Sequence, residues 1–174
     1  QQTQRIFALA LEDGDDSNAV IILDSHLHVV ATVEAAESWR GEAAIRDVAV
    51  HGDQVLVLTT RDHAQEGPGL RLLDLDGRFL RTIAAGQFRN PQAVAASGGR
   101  AFVVDDDHEV DEEDDEDDED DEDDVDLWTA VLHVIEIHSG NILQTVPLEL
   151  SDCDISSIIV DGDEIYIADF YASK

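Results

Sequence analysis

Histidines and carboxylates are the side chains of this sequence that could do chemistry. A metal or catalytic site needs several histidines to converge, as in His-x-Glu-x-His or at helical i, i+4 spacing, and none of the seven histidines shows such spacing. His26 and His28 lie two apart on a predicted strand, so they share a face and could chelate a metal weakly. They stand beside a predicted turn, so we expect solvated surface residues. We therefore predict no catalytic, cofactor-binding or metal-binding residues.

Fourteen consecutive carboxylates occupy Asp111–Asp124. Like charges repel and the run has nothing apolar to bury, so we predict an extended, disordered segment. Three interpretations stay open: a tolerated insertion without function, an attractant for a basic protein segment, and weak, non-specific binding of divalent cations. A calcium cage is not expected, because the run has no Gly to turn the loop. The candidate partner-binding residues in the run are Asp111, Glu112, Glu113, Asp114 and Asp115.

The charge of the chain is strongly negative. The net charge is −31, and removing the 19 acidic residues between Asp105 and Asp126 still leaves −12. Such a surface repels phosphate backbones, so we expect no nucleic-acid binding, and a basic protein or peptide is the favoured partner.

Other features of the composition limit the classes to which the protein can belong. Hydrophobic residues make up 43% of the chain, typical of a soluble globular protein, and no apolar stretch approaches the roughly 18 residues of a membrane helix. There is no Met, so we expect a piece of a longer or processed protein, and the absence of a signal peptide leaves the compartment undetermined. Cys153 is the single cysteine and excludes an internal disulfide; we expect a small, partly buried apolar side chain.

Three segments of the chain repeat one pattern. They are IRDVAVHGDQVLVLTT, NPQAVAASGGRAFVVDD and ISSIIVDGDEIYIADF, at offsets of 46 and then 64 residues. Each has an apolar run, a glycine-containing break and an alternating run, which predicts a β-hairpin of strands A and B. A second hairpin, C and D, is clearest in LRLLDLDGRFLRTI and recurs at Ala19–Val33 and Val131–Val146.

The strands therefore follow the order B-C-D, A-B-C-D, A-B-C-D, A-B, and the acidic run with its flanks accounts for the longer second interval. Four antiparallel strands every 40–50 residues indicate the blades of a β-propeller. The stretch LRLLDLDGRFLRTIAAGQFRNPQAVAASGGRAFVVDD also resembles an NHL-type propeller repeat, and DGDEIYIADFYASK is similar to its ending. SWRGEAAIRDVAV lacks the Pro of this pattern.

The predicted fold class is all-β: a β-propeller fragment of four-stranded antiparallel blades with a disordered acidic loop insertion. We predict a single partial propeller over 1–174, with strands B-C-D at 5–33 and a second blade at 45–83. A third blade follows at 91–147 with the insertion at 107–126, and strands A-B of a fourth at 155–170. About three blades are too few to close a ring. We expect the remaining blades of a six-bladed ring from the same longer chain, with self-association as the alternative.

Antiparallel alternation places the short A–B and C–D turns on one face and the long B–C and D–A connections on the other. Binding commonly resides on loops held by a rigid scaffold. Two aromatic-arginine pairs occupy equivalent D–A loops on this long-loop face, and they are either partner-binding anchors or packing between blades: Trp39 with Arg40, and Phe88 with Arg89. Asp105 and Asp169, at the ends of B strands, are either channel ligands or, as we expect, hydrogen-bond acceptors for a neighbouring loop.

The main functional hypothesis is a non-catalytic NHL-like propeller that binds a protein or peptide through its long-loop face, with the acidic run attracting basic partners. The alternative follows from the resemblance: some NHL-like propellers are metal-dependent lyases acting on amidated peptide precursors, and their site would lie mostly outside this segment. None of the metal-binding or catalytic residues of that family can be placed in this sequence.

Overall fold

The described part of the chain folds into thirteen β-strands. The computed structural model describes residues 5–11, 18–34, 44–60, 67–106, 130–148 and 155–169. These ranges contain no helix, and so none that could cross a membrane. The strands are β1 (Arg5–Leu11), β2 (Asn18–Asp24), β3 (Val29–Glu34), β4 (Ile45–His51), β5 (Gln54–Thr59), β6 (Gly69–Asp74), β7 (Phe79–Ile83), β8 (Pro91–Ser97), β9 (Arg100–Asp106), β10 (Ala130–Glu136), β11 (Ile142–Leu148), β12 (Ile155–Asp161) and β13 (Glu164–Asp169).

The strands form four antiparallel sheets. Sheet 1 has the order β1-β2-β3, sheet 2 β4-β5-β6-β7, sheet 3 β8-β9-β10-β11, and sheet 4 β12-β13. This is the strand order predicted from the repeat, and the predicted all-β class with four-stranded antiparallel sheets is confirmed. The acidic insertion at 107–126 lies outside the described residues.

Short turns gather at one end of the sheets. Two-residue turns at Gly52-Asp53, Gly98-Gly99 and Gly162-Asp163 join the first strand of a sheet to the second, and each first glycine has a positive φ. Every strand pair is antiparallel, so the ends joined by the longer connections lie at the opposite end. The described residues thus have one turn-rich end and one end where all longer connections start and finish.

Apolar side chains fill the three spaces between neighbouring sheets. One cluster, with Val20 and Val57, lies between sheets 1 and 2. A second, with Leu58 and Val103, lies between sheets 2 and 3, and a third, with Ile158, lies between sheets 3 and 4. Because successive residues of a strand point to opposite faces, each middle sheet contributes to two clusters. Face-to-face packing of successive sheets therefore stabilises the fold.

The last hairpin of sheets 1 and 2 has a turn capped by an aspartate. The Asp74 carboxylate accepts hydrogen bonds from the backbone N–H groups of Asp76 and Arg78, both at 2.9 Å. Asp24 caps the equivalent turn in sheet 1, where bonds to the N–H groups of His28 and His26 lower the pKa of its carboxyl.

One residue of this turn needs a positive φ. Gly77 fills the position in sheet 2 with φ 85°, and Gly140 fills it in sheet 3 with φ 78°. Both glycines contact the preceding sheet, and a Cβ on Gly77 would lie 2.5 Å from Cγ2 of Val33. Leu27 takes the position in sheet 1 with φ 65° and is 66% exposed, so an exposed apolar side chain stands where its equivalents are glycine.

Candidate functional site

The first strands of sheets 2, 3 and 4 lie side by side. β4 packs against β8, and β8 against β12, whereas the outermost strands of the described sheets make no comparable contact with one another. The sheets therefore converge at their first strands and spread apart at their last. The ends of β4, β8 and β12 nearest the long connections form the candidate site.

Each of these three inner strands carries a β-bulge at the same place. The register against the second strand shifts between Ile45 and Asp47 in β4, between Pro91 and Ala93 in β8, and between Ile155 and Ser157 in β12. The extra residues of the three bulges are Arg46, Gln92 and Ser156. A bulge inserts one unpaired residue and re-aims its side chain, so three neighbouring strands present polar side chains at equivalent positions.

Hydrogen bonds connect these bulge residues to their surroundings. Nη2 of Arg46 donates to Oε1 of Gln92 on the neighbouring strand, and Nε2 of Gln92 donates to the carbonyl oxygen of Asn90 at 3.0 Å. The hydroxyl of Ser156 donates to the carbonyl oxygen of Ala168 at 3.3 Å. Arg46 and Ser156 are exposed, and Arg46 forms no ion pair with a described residue. The site is thus rich in hydrogen-bond donors.

A partly buried carboxylate ties two of the bulges together. Asp47 accepts a hydrogen bond from the N–H of Val48 at 2.7 Å and another from the N–H of Val94, on β8, at 2.8 Å. Burial raises the pKa of the Asp47 carboxyl, against the opposing effects of the Val94 and Val48 N–H groups and of the Arg46 charge. The carboxylate fixes the spacing of β4 and β8 at the bulges.

Asp105, at the end of β9, fixes the connection that leads into β8. The residue is 2% exposed, and its carboxylate accepts hydrogen bonds from the N–H of Asn90 at 2.8 Å and the N–H of Arg89 at 3.0 Å. This is the structural role expected for Asp105, and that expectation is confirmed. The side chain of Asp169 lies outside the described residues, so the same expectation for it stays a prediction.

A histidine of β10 lies beside the Asp105 carboxylate. Nε2 of His133 lies 3.5 Å from Oδ2 of Asp105, and Nδ1 lies 2.9 Å from the hydroxyl oxygen of Thr145. The ring of Phe88 packs against that of His133 with a centroid distance of 5.6 Å. Phe88 is 4% exposed and belongs to the cluster between sheets 2 and 3. Asp105, through two backbone N–H groups, and His133, through the Phe88 ring, thus hold the connection before β8 against sheet 3.

The structure describes only two of the predicted partner-binding residues, Phe88 and Arg89. Phe88 is buried, which matches the packing interpretation of its loop, whereas Arg89 is exposed and has its backbone N–H bound to Asp105. The other candidates, Trp39, Arg40 and Asp111–Asp115, and also Cys153, lie outside the described ranges. Their partner binding stays a prediction.

The remaining histidine pair lies at the turn-rich end. His26 and His28 are exposed, and their rings stack with centroids 6.1 Å apart. Among the described residues, no group of three or more His, Cys, Asp or Glu side chains is placed to hold a metal ion.

Reasoning from the sequence missed the row of bulge residues. Arg46 and Gln92 occupy matching positions in the aligned repeats, which was the available signal, but a bulge is visible only in the pairing register. The alternation of apolar residues does not reveal on which strand an extra residue is accommodated.

The solved structures that are similar to this chain include two of one enzyme. Both are of Pyrococcus horikoshii acylaminoacyl peptidase, one in an orthorhombic crystal form and one uncomplexed, each with a TM-score of 0.58. They are 13% and 11% identical to this chain, and each match covers 94% of this chain and 25% of the peptidase chain. No protein-family model and no curated protein matches the sequence. At this identity the likeness shows the fold alone, which is β-propeller-like.

Proposed function

We propose that this protein is a non-catalytic, NHL-like propeller that binds a protein or peptide through its long-loop face, with the acidic run attracting basic partners. One feature of the topology supports the proposal: all connections longer than a tight turn start and finish at the same end of the sheets. Loops grouped at one end of a rigid scaffold are a common binding surface.

Charge favours a basic partner at this face. The segment that contains the acidic run leaves the sheets at the end of β9 and returns at the start of β10, both at the long-loop end. Concentrated negative charge attracts cationic segments and accelerates their encounter with the protein.

Exposed apolar side chains on sheet 4 support the expectation that further blades complete the ring. Ile159 and Tyr166 lie on its outward face and are 61% and 54% exposed. The corresponding faces of sheets 2 and 3 are covered by the next sheet. A further blade, from the same longer chain or from a second copy, would bury this face.

No observation on the described residues favours the alternative, a metal-dependent lyase of the peptidyl-hydroxyglycine type. The peptidase activity named for the similar structures is not carried over either, because the match covers 25% of that chain at 13% identity.

A binding experiment with a matched variant tests the proposal. A fluorescent peptide of alternating lysine and glycine is titrated with the protein, with a variant lacking Asp111–Asp124, and with a variant in which those residues are replaced by Asn and Gln at equal length. We expect both variants to bind much more weakly and the far-UV circular dichroism of the strands to be unchanged, since the insertion lies in a connection.

Two outcomes would contradict the proposal. Binding that is equal in all three proteins, or that persists undiminished at about 0.5 M salt, would show that the acidic run does not attract the peptide, because screening weakens such attraction. Loss of strand structure in the deletion variant would refute the insertion itself.

A further inference from the structure

In each of the three bulges on the inner strands, a polar residue directly follows a buried one. Ile45 and Ile155 are each 3% exposed, and Pro91 is also buried, whereas the next residue in each strand is the polar bulge residue. Bulges are maintained features that re-aim a side chain or end a pairing, and they are over-represented beside functional sites. Three equivalent bulges on adjoining strands therefore point to a site at their common end.

The chemistry of the bulge residues selects the ligand. Arg46 has a planar guanidinium with five N–H donors, and one of its nitrogens, Nη2, donates to Gln92. Its charge acts on the adjoining Asp47 carboxylate, but the described residues form no ion pair with it, so further N–H donors can meet a ligand. A guanidinium fork binds a carboxylate with two parallel hydrogen bonds. Phosphate offers similar oxygens, but a chain with a net charge of −31 repels a dianion more strongly than a single carboxylate.

We propose that Arg46, Gln92 and Ser156 form a binding site for a carboxylate group of a peptide partner, which in a basic peptide is the C-terminal carboxylate. This inference rests on the proposed function and adds to it the chemical group that is anchored. The acidic run attracts the basic side chains of the peptide, and the Arg46 guanidinium holds its carboxylate.

Two buried or partly buried carboxylates keep the site rigid. Asp47 joins β4 to β8 through the N–H of Val94, and Asp105 holds the N–H groups of Arg89 and Asn90 just before β8 begins. Asn90 in turn accepts the hydrogen bond of the Gln92 amide. A donor array that is fixed before the ligand arrives loses little side-chain entropy on binding.

The test compares two peptides that differ only in the terminal group. The lysine-glycine peptide is prepared with a free C-terminal carboxylate and with a C-terminal amide, and the affinity of each is measured for the unaltered protein and for Arg46→Gln. Arg100→Gln is the control, because Arg100 is an exposed arginine at the turn-rich end of β9. In a second measurement, acetate is titrated while the side-chain Nε–H signal of Arg46 is followed by NMR.

We expect the free acid to bind about fivefold more tightly than the amide, the size of an exposed, well-oriented ion pair. The difference should disappear in Arg46→Gln and persist in Arg100→Gln. Acetate should shift the Arg46 signal and leave that of Arg100 in place. Equal affinities of acid and amide, or a difference that survives Arg46→Gln, would overturn the carboxylate site.

If neither peptide binds, the proposed function fails and the acetate titration decides the site by itself. A shift confined to Arg46 would then support an anion site that is independent of basic peptides. No shift, or equal shifts at Arg46 and Arg100, would overturn it.

Discussion

Replacing Asp105 by alanine tests how the connection before β8 is held. The carboxylate accepts the N–H of Asn90 at 2.8 Å and that of Arg89 at 3.0 Å, and His133 lies 3.5 Å away. A buried N–H that loses its acceptor costs about 1–3 kcal/mol. These two groups are only partly buried, so the lower part of that range applies to each, and we expect Asp105→Ala to lower the free energy of unfolding by about 2–3 kcal/mol.

The measurement is urea denaturation followed by far-UV circular dichroism, with Asp161→Ala as the control. Asp161 is an exposed strand residue next to a turn, and its replacement should change the free energy of unfolding by less than about 0.5 kcal/mol. Asp105→Asn retains one oxygen that can accept one of the two N–H groups, so about half of the loss should remain.

Amide hydrogen exchange separates a local effect from a global one. Exchange at Arg89 and Asn90 should accelerate in Asp105→Ala more than exchange in β12 and β13, since only the first two amides lose their acceptor. The reasoning is refuted if Asp105→Ala is as stable as Asp161→Ala, or if Arg89 and Asn90 exchange no faster than before.

Three further changes have expected outcomes. Leu27→Gly should raise the free energy of unfolding, measured by urea denaturation, by about 0.5–1 kcal/mol, because Leu27 has φ 65° and an exposed side chain. An unchanged free energy of unfolding would mean that the backbone at Leu27 is not strained. Gly77→Ala should lower it by about 1–3 kcal/mol, and by more than Gly162→Ala, because both have a positive φ but only Gly77 would place a Cβ against Val33. The pKa of Asp47 is raised in the folded state, so just above pH 3.8 the folded state binds more protons than the unfolded state. The stability that Asp47 contributes therefore falls as the pH rises above 3.8. The free energy of unfolding of the unaltered protein minus that of Asp47→Asn should therefore decrease across this window, and an increase would contradict the raised pKa.

The architecture could be read from the sequence because its determinants are local. The alternation of apolar residues in QVLVLT and AFVVDD defines strands, and Gly52 and Gly98 supply the positive φ of the intervening turns. The repeat of these signals determined the strand order without knowledge of any distant contact. The turns capped by Asp24 and Asp74 also depend on neighbouring residues only. Asp is common in turns for several reasons, however, so the sequence does not specify which N–H groups its carboxylate accepts.

The arrangement of the site depended on contacts between distant residues. Arg46 and Gln92 are 46 positions apart and meet because β4 and β8 adjoin, and Asp47 reaches the N–H of Val94 across the same boundary. Asp105 was an exception, since a carboxylate at a strand end beside a long connection has few other acceptable partners. The burial of Phe88 could not be predicted, because an aromatic residue beside an arginine looks the same in the sequence whether it is buried or exposed.

Binding kinetics should show that the acidic run and Arg46 contribute to the affinity for the proposed partner through different rate constants. Surface charge acts over several ångströms before contact and so changes the association rate, whereas a fixed hydrogen-bond donor acts only after docking and changes the dissociation rate. Neutralising Asp111–Asp124 should therefore slow association and reduce its dependence on salt. Arg46→Gln should accelerate dissociation of the free-acid peptide about fivefold with little change in association. Stopped-flow fluorescence at two salt concentrations measures both rates. If the two changes altered the same rate, attraction and anchoring could not be assigned to separate groups, and a single electrostatic surface would account for binding.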